Sequence, residues 1–253
     1  MSSADESVAS FGIANDAYRY ARPTYPADLF DWIAKEAPST ERALDCATGS
    51  GQAAQSLAER FGAVDAFDLH QSQIDAATQA PNITYRQSSA EETPYADNSF
   101  DAITAAQSVH WFDHPRYWAE MQRIAKPGAI YCAMGYNRFL GAEEIDELLI
   151  NPLLDLIDHL WAPNNKLVWY GYDPAALQFP LEPIDMDIYP MRLRWSLDRY
   201  IQFMESWSAM RKARQNAEMA ATIDDMINGL LARIDGETEL DLVTNTFAMA
   251  GRF

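Results

Sequence analysis

The chain has 253 residues, 48% of them hydrophobic, and carries 37 acids against 19 bases for a net charge of −18. A chain of this length fills a sizeable core without help from metals or disulfides. Its charge repels phosphate backbones and anionic lipid, which argues against nucleic acid and membrane surfaces as partners.

No charged leader followed by an apolar run opens the sequence, and no run of 18 apolar residues occurs, so the expected location is cytoplasmic. Residues 1–16 are small and polar, and YRYARPTYP (18–26) is an aromatic and arginine cluster ending in proline. Residues 27–37 predict a helix with Leu29, Trp32 and Ile33 on one face.

A regular alternation follows. Strand 42–47 precedes helix 51–61, strand 63–69 precedes helix 71–79, and strand 83–87 precedes an acidic loop over 88–99. Strand 101–106 leads through QSVHWF into helix 114–125, which Asp113 caps and Pro115 opens, and KPGAIYCAMGY supplies a turn and a fifth strand. Pro152 splits the stretch 143–161 into two helices meeting at Asn151, and an aromatic loop runs on to 183. Strand 186–194, helices near 197–211 and 216–234, and strand 239–249 close the chain.

This pattern predicts an α/β, doubly wound, Rossmann-like fold in a single domain. Four segments are expected: an N-terminal lid (1–26), a cofactor-binding core (27–136), an acceptor-cover insertion (137–183), and strands and helices that complete the sheet (184–253). Cys46 and Cys132 fall on buried strands with one strand between them, about 9–10 Å apart, too far for a bridge.

LDCATGSGQ (44–52) is where function first becomes legible. Gly49-Ser50-Gly51-Gln52-Ala53-Ala54 fits G-x-G-x-x-A, a turn that nicotinamide, flavin and adenosyl cofactors all use. Asp68 ends the second strand, where a carboxylate accepts hydrogen bonds from ribose hydroxyls. Asp45, just before the turn, would repel a pyrophosphate but attract a cationic ligand, directly or through water. S-adenosylmethionine, with its ammonium and sulfonium, suits that site better than NAD. Ala47 stands where a first glycine is usual, which requires it to keep a negative φ.

The stretches LDCATGSGQAAQSLAERFGAVDAFDL, SSAEETPYADNSFD and AQSVHWFDHPRYWAEMQRIAKPGAIYCAMGY together resemble class I S-adenosylmethionine-dependent methyltransferases. More narrowly, the chain resembles the trans-aconitate methyltransferase-like enzymes in three places. These are Tyr18, Arg22, Pro23, Tyr25 and Pro26; His110-Trp111; and Trp207-Ser208. The resemblance implies that Asp45, Ala47, Gly49 and Gly51 form the loop under the methionine part of the cofactor. It further implies Asp68 at the ribose, Leu69, Ser89, Ala90 and Glu91 at the adenine, and Gln107 at the methyl-donor region. Ser89 stands in place of a usual aspartate. The family that the chain resembles also implies a seven-stranded sheet in the order 3-2-1-4-5-7-6, with the last strand antiparallel.

Residues 107–112 face the methyl group in this reading, because ligands of such sheets bind at the carboxyl ends of the strands. His110 is the candidate base or orienting group. Trp111, Tyr136, Trp169 and Tyr170 are candidates for an acceptor wall. Tyr18 and Arg22 belong to the lid, with Arg22 available to a carboxylate of cofactor or acceptor. His110 and His114 stand four apart, but Asp113 and Pro115 mark a helix start between them, so no metal is expected. The expected reaction is methylation of a small-molecule acceptor, at a carboxylate or hydroxyl oxygen; oligomeric state is not legible. Against an anionic acceptor stands the net charge, unless Arg22, Arg138 and Arg192 offset it locally. The alternatives are an NAD-type oxidoreductase, a nucleic-acid or protein methyltransferase, and a catalytically silent cofactor binder. The first two lack their signatures here: a Tyr-x-x-x-Lys, and an Asn/Asp-Pro-Pro-Tyr/Phe stretch after the fourth strand.

Overall fold

The computed structural model describes residues 22–141 and 143–253. The expectations for Tyr18 and for most of the lid segment lie outside the described residues. Helix α1 (Ala27–Glu36) is followed by β1 (Arg42–Cys46), α2 (Gln52–Ala58), β2 (Ala63–Asp68), α3 (Gln71–Asp75), β3 (Ile83–Gln87) and β4 (Phe100–Ala106). Then come α4 (His114–Ile124) and β5 (Ala125–Tyr136). Seven strands form one sheet in the order β3-β2-β1-β4-β5-β7-β6, as the family resemblance implied. Strands β1–β5 pair in parallel, while β7 (Glu239–Arg252) runs antiparallel to both β5 and β6 (Pro190–Ser196).

Both faces of the sheet are covered, so its strands read as nearly continuous apolar runs. Alternate residues still go to opposite sides. Ala43, Ala66 and Ile130 pack with Leu29, Ile33 and Leu57 of α1 and α2. Leu44, Phe67 and Tyr131 pack with Tyr117, Trp118 and Met121 of α4. Cys46 and Cys132 fall on opposite faces with β4 between their strands, and both thiols are free. Asp113 caps α4 through its side chain, accepting from the Arg116 amide, with Pro115 in the first turn.

The segment after β5 departs from expectation in several places. No break occurs at Asn151. Helix α5 (Glu143–Ile145) passes through a π-turn (Asp146–Ile150) into α6 (Asn151–Ile157), and Ile150 and Asn151 both keep helical dihedrals. The wider turn just before Pro152 absorbs its missing N–H and its ring, so the helix runs on rather than breaking. The loop beyond holds a short helix, α7 (Asn165–Trp169).

Strand β6 begins at Pro190 instead of 186, as befits a residue that cannot donate to a ladder. The helix expected near 197–211 is two, α8 (Leu197–Glu205) and α9 (Ser208–Ala213), separated at Ser206-Trp207. Helix α10 (Ala217–Leu231) is capped by Asn216, whose side chain accepts from the Glu218 and Met219 amides. These helices share a third apolar cluster with Phe139, Trp195 and Leu242. Among the described residues no helix is long and apolar enough to cross a membrane.

Candidate active site

At the carboxyl ends of β1, β2 and β4 the chain turns sharply, and a cavity of about 460 Å3 opens there. Ala47, Thr48, Gly49 and Ser50 form its floor, with Asp68 and Leu69 from the end of β2 and Ser89, Ala90 and Glu91 from the loop after β3. Asp68 is held rigidly. Its Oδ2 accepts from the Gly49 amide at 3.0 Å, and its Oδ1 accepts from the His70 amide at 2.9 Å. Burial pushes its carboxyl above the usual range despite those two donors. Each oxygen keeps a lone pair for a further donor. Gly51, expected beneath the cofactor, does not line this cavity; its φ of 89° requires glycine, and a Cβ there would sit 2.3 Å from the Tyr85 hydroxyl.

The required negative φ at Ala47 is not observed. Its φ is 50°, in the left-handed region. That geometry costs an alanine about 1–2 kcal/mol, and the hydrogen bonds it permits hold it. The Thr48 amide donates to the Phe67 carbonyl at 2.8 Å, and the Thr48 hydroxyl donates to Asp45 Oδ2 at 2.6 Å. The turn therefore exists with a strained alanine where glycine would be relaxed.

Asp45 itself differs from expectation. It is buried behind the loop and does not line the cavity; its other oxygen accepts from the Thr104 hydroxyl at 2.8 Å. Burial pushes its carboxyl up to about 6, against the pull of those two hydroxyls. Asp45 thus supports the loop through Thr48 and reaches the cavity by its field rather than by contact.

A second cavity of about 470 Å3 adjoins the first, and Arg22, Gln107, Trp111 and Tyr136 line both. These four residues form the junction. Arg22 Nη1 donates to the Tyr136 hydroxyl and Nη2 to the Ser206 carbonyl, each at 3.3 Å. Gln107 follows β4 with φ 53°, and its side-chain amide donates to the Tyr136 carbonyl at 2.8 Å. Phe139, Trp161, Trp169, Phe203 and Trp207 supply an aromatic wall beyond the junction. Trp161 meets Trp169 edge-on at 5.4 Å and lies 6.0 Å from Trp207.

His110 sits in a 3-10 turn after β4, is 3% exposed, and lines only this second cavity. Burial, with His114 nearby, pushes its imidazole down to about 3. Tyr170, expected in the acceptor wall, lines neither cavity and is 83% exposed. Arg138 lines the second cavity but is paired with Asp146 at 2.7 Å, and Arg192 lies on the exposed side of β6. Of the expected cationic set only Arg22 stands at the junction. Among the described residues no group of three potential metal ligands occurs.

Several lining residues were not singled out from the sequence. Thr48 and Ser50 belong to the glycine turn and were within reach of that reading. Trp161, Phe203 and Asn165 carried no signal, because aromatics and amides are frequent throughout the segment. Trp207 and Ser208 were legible as a motif but not as cavity walls.

The sheet order and the strand-end cavity define a Rossmann-like nucleoside-cofactor enzyme. Residues 44–133 match a methyltransferase domain family. A protein of Dictyostelium discoideum classed as a methyltransferase is 28% identical over 237 residues, covering 91% of this chain and 89% of that one. An uncharacterized methyltransferase of Mycobacterium tuberculosis is 38% identical over 120 residues, which is 47% of this chain and 49% of the relative. A solved structure from Anaeromyxobacter dehalogenans, classed as a type II methyltransferase, is 34% identical. It covers 91% of this chain and 97% of its own, with a TM-score of 0.79. The chain belongs to the class I S-adenosylmethionine-dependent methyltransferases, and S-adenosylmethionine is its cofactor.

The first cavity fits that cofactor: a fixed buried carboxylate, that of Asp68, faces a glycine-bearing turn.

Proposed function

We propose that this methyltransferase esterifies a small, largely apolar carboxylic acid held in the aromatic cavity. In this reading Asp68 receives the ribose hydroxyls, and Leu69, Ser89, Ala90 and Glu91 border the adenine. Ala47, Gly49 and Gln107 flank the methionine portion, and Trp111, Tyr136 and Trp169 enclose the acceptor. The segment 137–183 acts as acceptor cover. When bound, S-adenosylmethionine supplies an electrophilic methyl group whose transfer leaves a neutral thioether.

The observation that carries the reading is the junction itself: two cavities meet at a guanidinium, that of Arg22. An arginine there attracts and orients a carboxylate, which offsets locally the repulsion from a net charge of −18. A carboxylate is already deprotonated at neutral pH, so placement near the methyl group suffices for reaction. A hydroxyl acceptor would need a base. His110, the imidazole of the acceptor cavity, is too weak a base for that work, being pushed down to about 3. The resemblance to trans-aconitate methyltransferase-like enzymes supports the same acceptor class.

The test is a panel of aliphatic and aromatic carboxylic acids set beside matched phenols, with methylated products read by mass spectrometry. Methyl esters from the acids are expected. Ethers alone overturn the carboxylate reading, and a protein that binds cofactor yet methylates neither class is a silent binder.

A further inference from the structure

Tyr172 comes from the loop after α7 and reaches His110, which follows β4. Its hydroxyl lies 3.1 Å from His110 Nδ1, and the two rings are 6.0 Å apart. Both side chains are buried, at 4% and 3% exposure. The phenol O–H has Nδ1 as the acceptor within reach.

Burial keeps the imidazole neutral. The neighbouring titratable ring, His114, adds to this effect while its own Nε2 faces the Val109 carbonyl at 3.1 Å. A neutral imidazole carries one proton, and with Nδ1 accepting, that proton is on Nε2. Nε2 has no hydrogen-bond partner among the described residues, and the ring lines the acceptor cavity beside Trp111.

We propose that Tyr172 is a positioning residue that fixes His110 as a hydrogen-bond donor, so that Nε2–H holds one oxygen of the acceptor carboxylate while the other meets the methyl group. His110 then accepts no proton during transfer. The electron pair for the new C–O bond comes from the carboxylate, and the pair of the broken C–S bond stays on sulfur. This role rests on the carboxylate reading above, but its first test does not.

Nitrogen-15 NMR of the labelled protein reads the ring tautomer without any acceptor. The Nε2–H pattern is expected for His110, unchanged between pH 6 and 9. An Nδ1–H pattern, or titration of this ring in that range, overturns the proposal and leaves the acceptor class untouched. Tyr172→Phe removes the donor to Nδ1. A mixed tautomer is expected, with acceptor KM raised about tenfold at unchanged affinity for S-adenosylmethionine. A tautomer unchanged in a folded Tyr172→Phe protein overturns the positioning role.

The amide nitrogen of glutamine can stand where Nε2 stood. His110→Gln is therefore expected to retain several-fold more activity than His110→Ala, and equal activities overturn the donor role. Should the acceptor panel return only phenols, the carboxylate contact fails even where the Nε2–H tautomer is confirmed.

Discussion

The two cavities are built on different principles. The floor of the cofactor cavity is main chain: turns at the ends of β1, β2 and β4, pinned by bonds such as Gly49 N–H to Asp68 and Thr48 N–H to Phe67. The proposed acceptor cavity is walled by side chains from segments far apart in sequence, Trp111, Phe139, Trp169 and Trp207 among them. A wall of main chain changes little when residues are exchanged, so it suits a ligand common to a family. A wall of side chains is remade by single substitutions, so it suits a ligand that differs among relatives. The family match accords with this, covering 44–133 and stopping before the aromatic segment.

The contrast can be broken most forcefully at Asp68. Asp68→Ala removes the carboxylate and leaves the Gly49 and His70 amides without their acceptors. A loss of ten- to a hundredfold in S-adenosylmethionine affinity is expected from deleting charge-assisted bonds at a buried site. Calorimetry showing unchanged affinity would remove Asp68 from the cofactor site. Trp169→Ala tests the other half. This indole is 38% exposed, so its loss should disturb folding little. Acceptor KM should rise about fivefold, consistent with losing part of one aromatic wall, while cofactor affinity holds. A drop in cofactor affinity of the same size would dissolve the distinction between the two cavities.

The smallest expected effect sharpens the comparison through pH. Asp45 is charged above about 6 and neutral below it. Acidification through that value removes a negative charge from behind the loop. Affinity for the cationic S-adenosylmethionine should then fall a few-fold relative to its neutral demethylated product. Asp45→Asn should flatten that dependence. A ratio of the two affinities that stays constant from pH 5 to 8 in the native protein would show that Asp45 does not act on the ligand through its field.

What could be read from the residues follows the same division. Alternating strands and helices gave the elements and the doubly wound class, because each local period reports which side chains face the core; the strand order came from the family resemblance. Asp68 and the glycine turn were legible because their spacing is set by one βαβ unit. Ala47 was misjudged because its dihedral follows from contacts with Phe67 and Asp45, which no local rule contains. The π-turn before Pro152 was missed for a related reason: a proline reads as a break until the preceding turn is known to widen. Tyr172 had no signal at all, since its role depends on a ring 62 positions earlier in the chain.

The place of β7 has a consequence for how the molecule assembles. It lies between β5 and β6, so β6 reaches the sheet only through a strand that follows it in the chain. Strands β1–β5 can pair as soon as they exist, but β6 must wait for β7, with the closure of long loops that this entails. The half that grips the nucleoside can therefore be organised in an intermediate that does not yet recognise what is to be methylated.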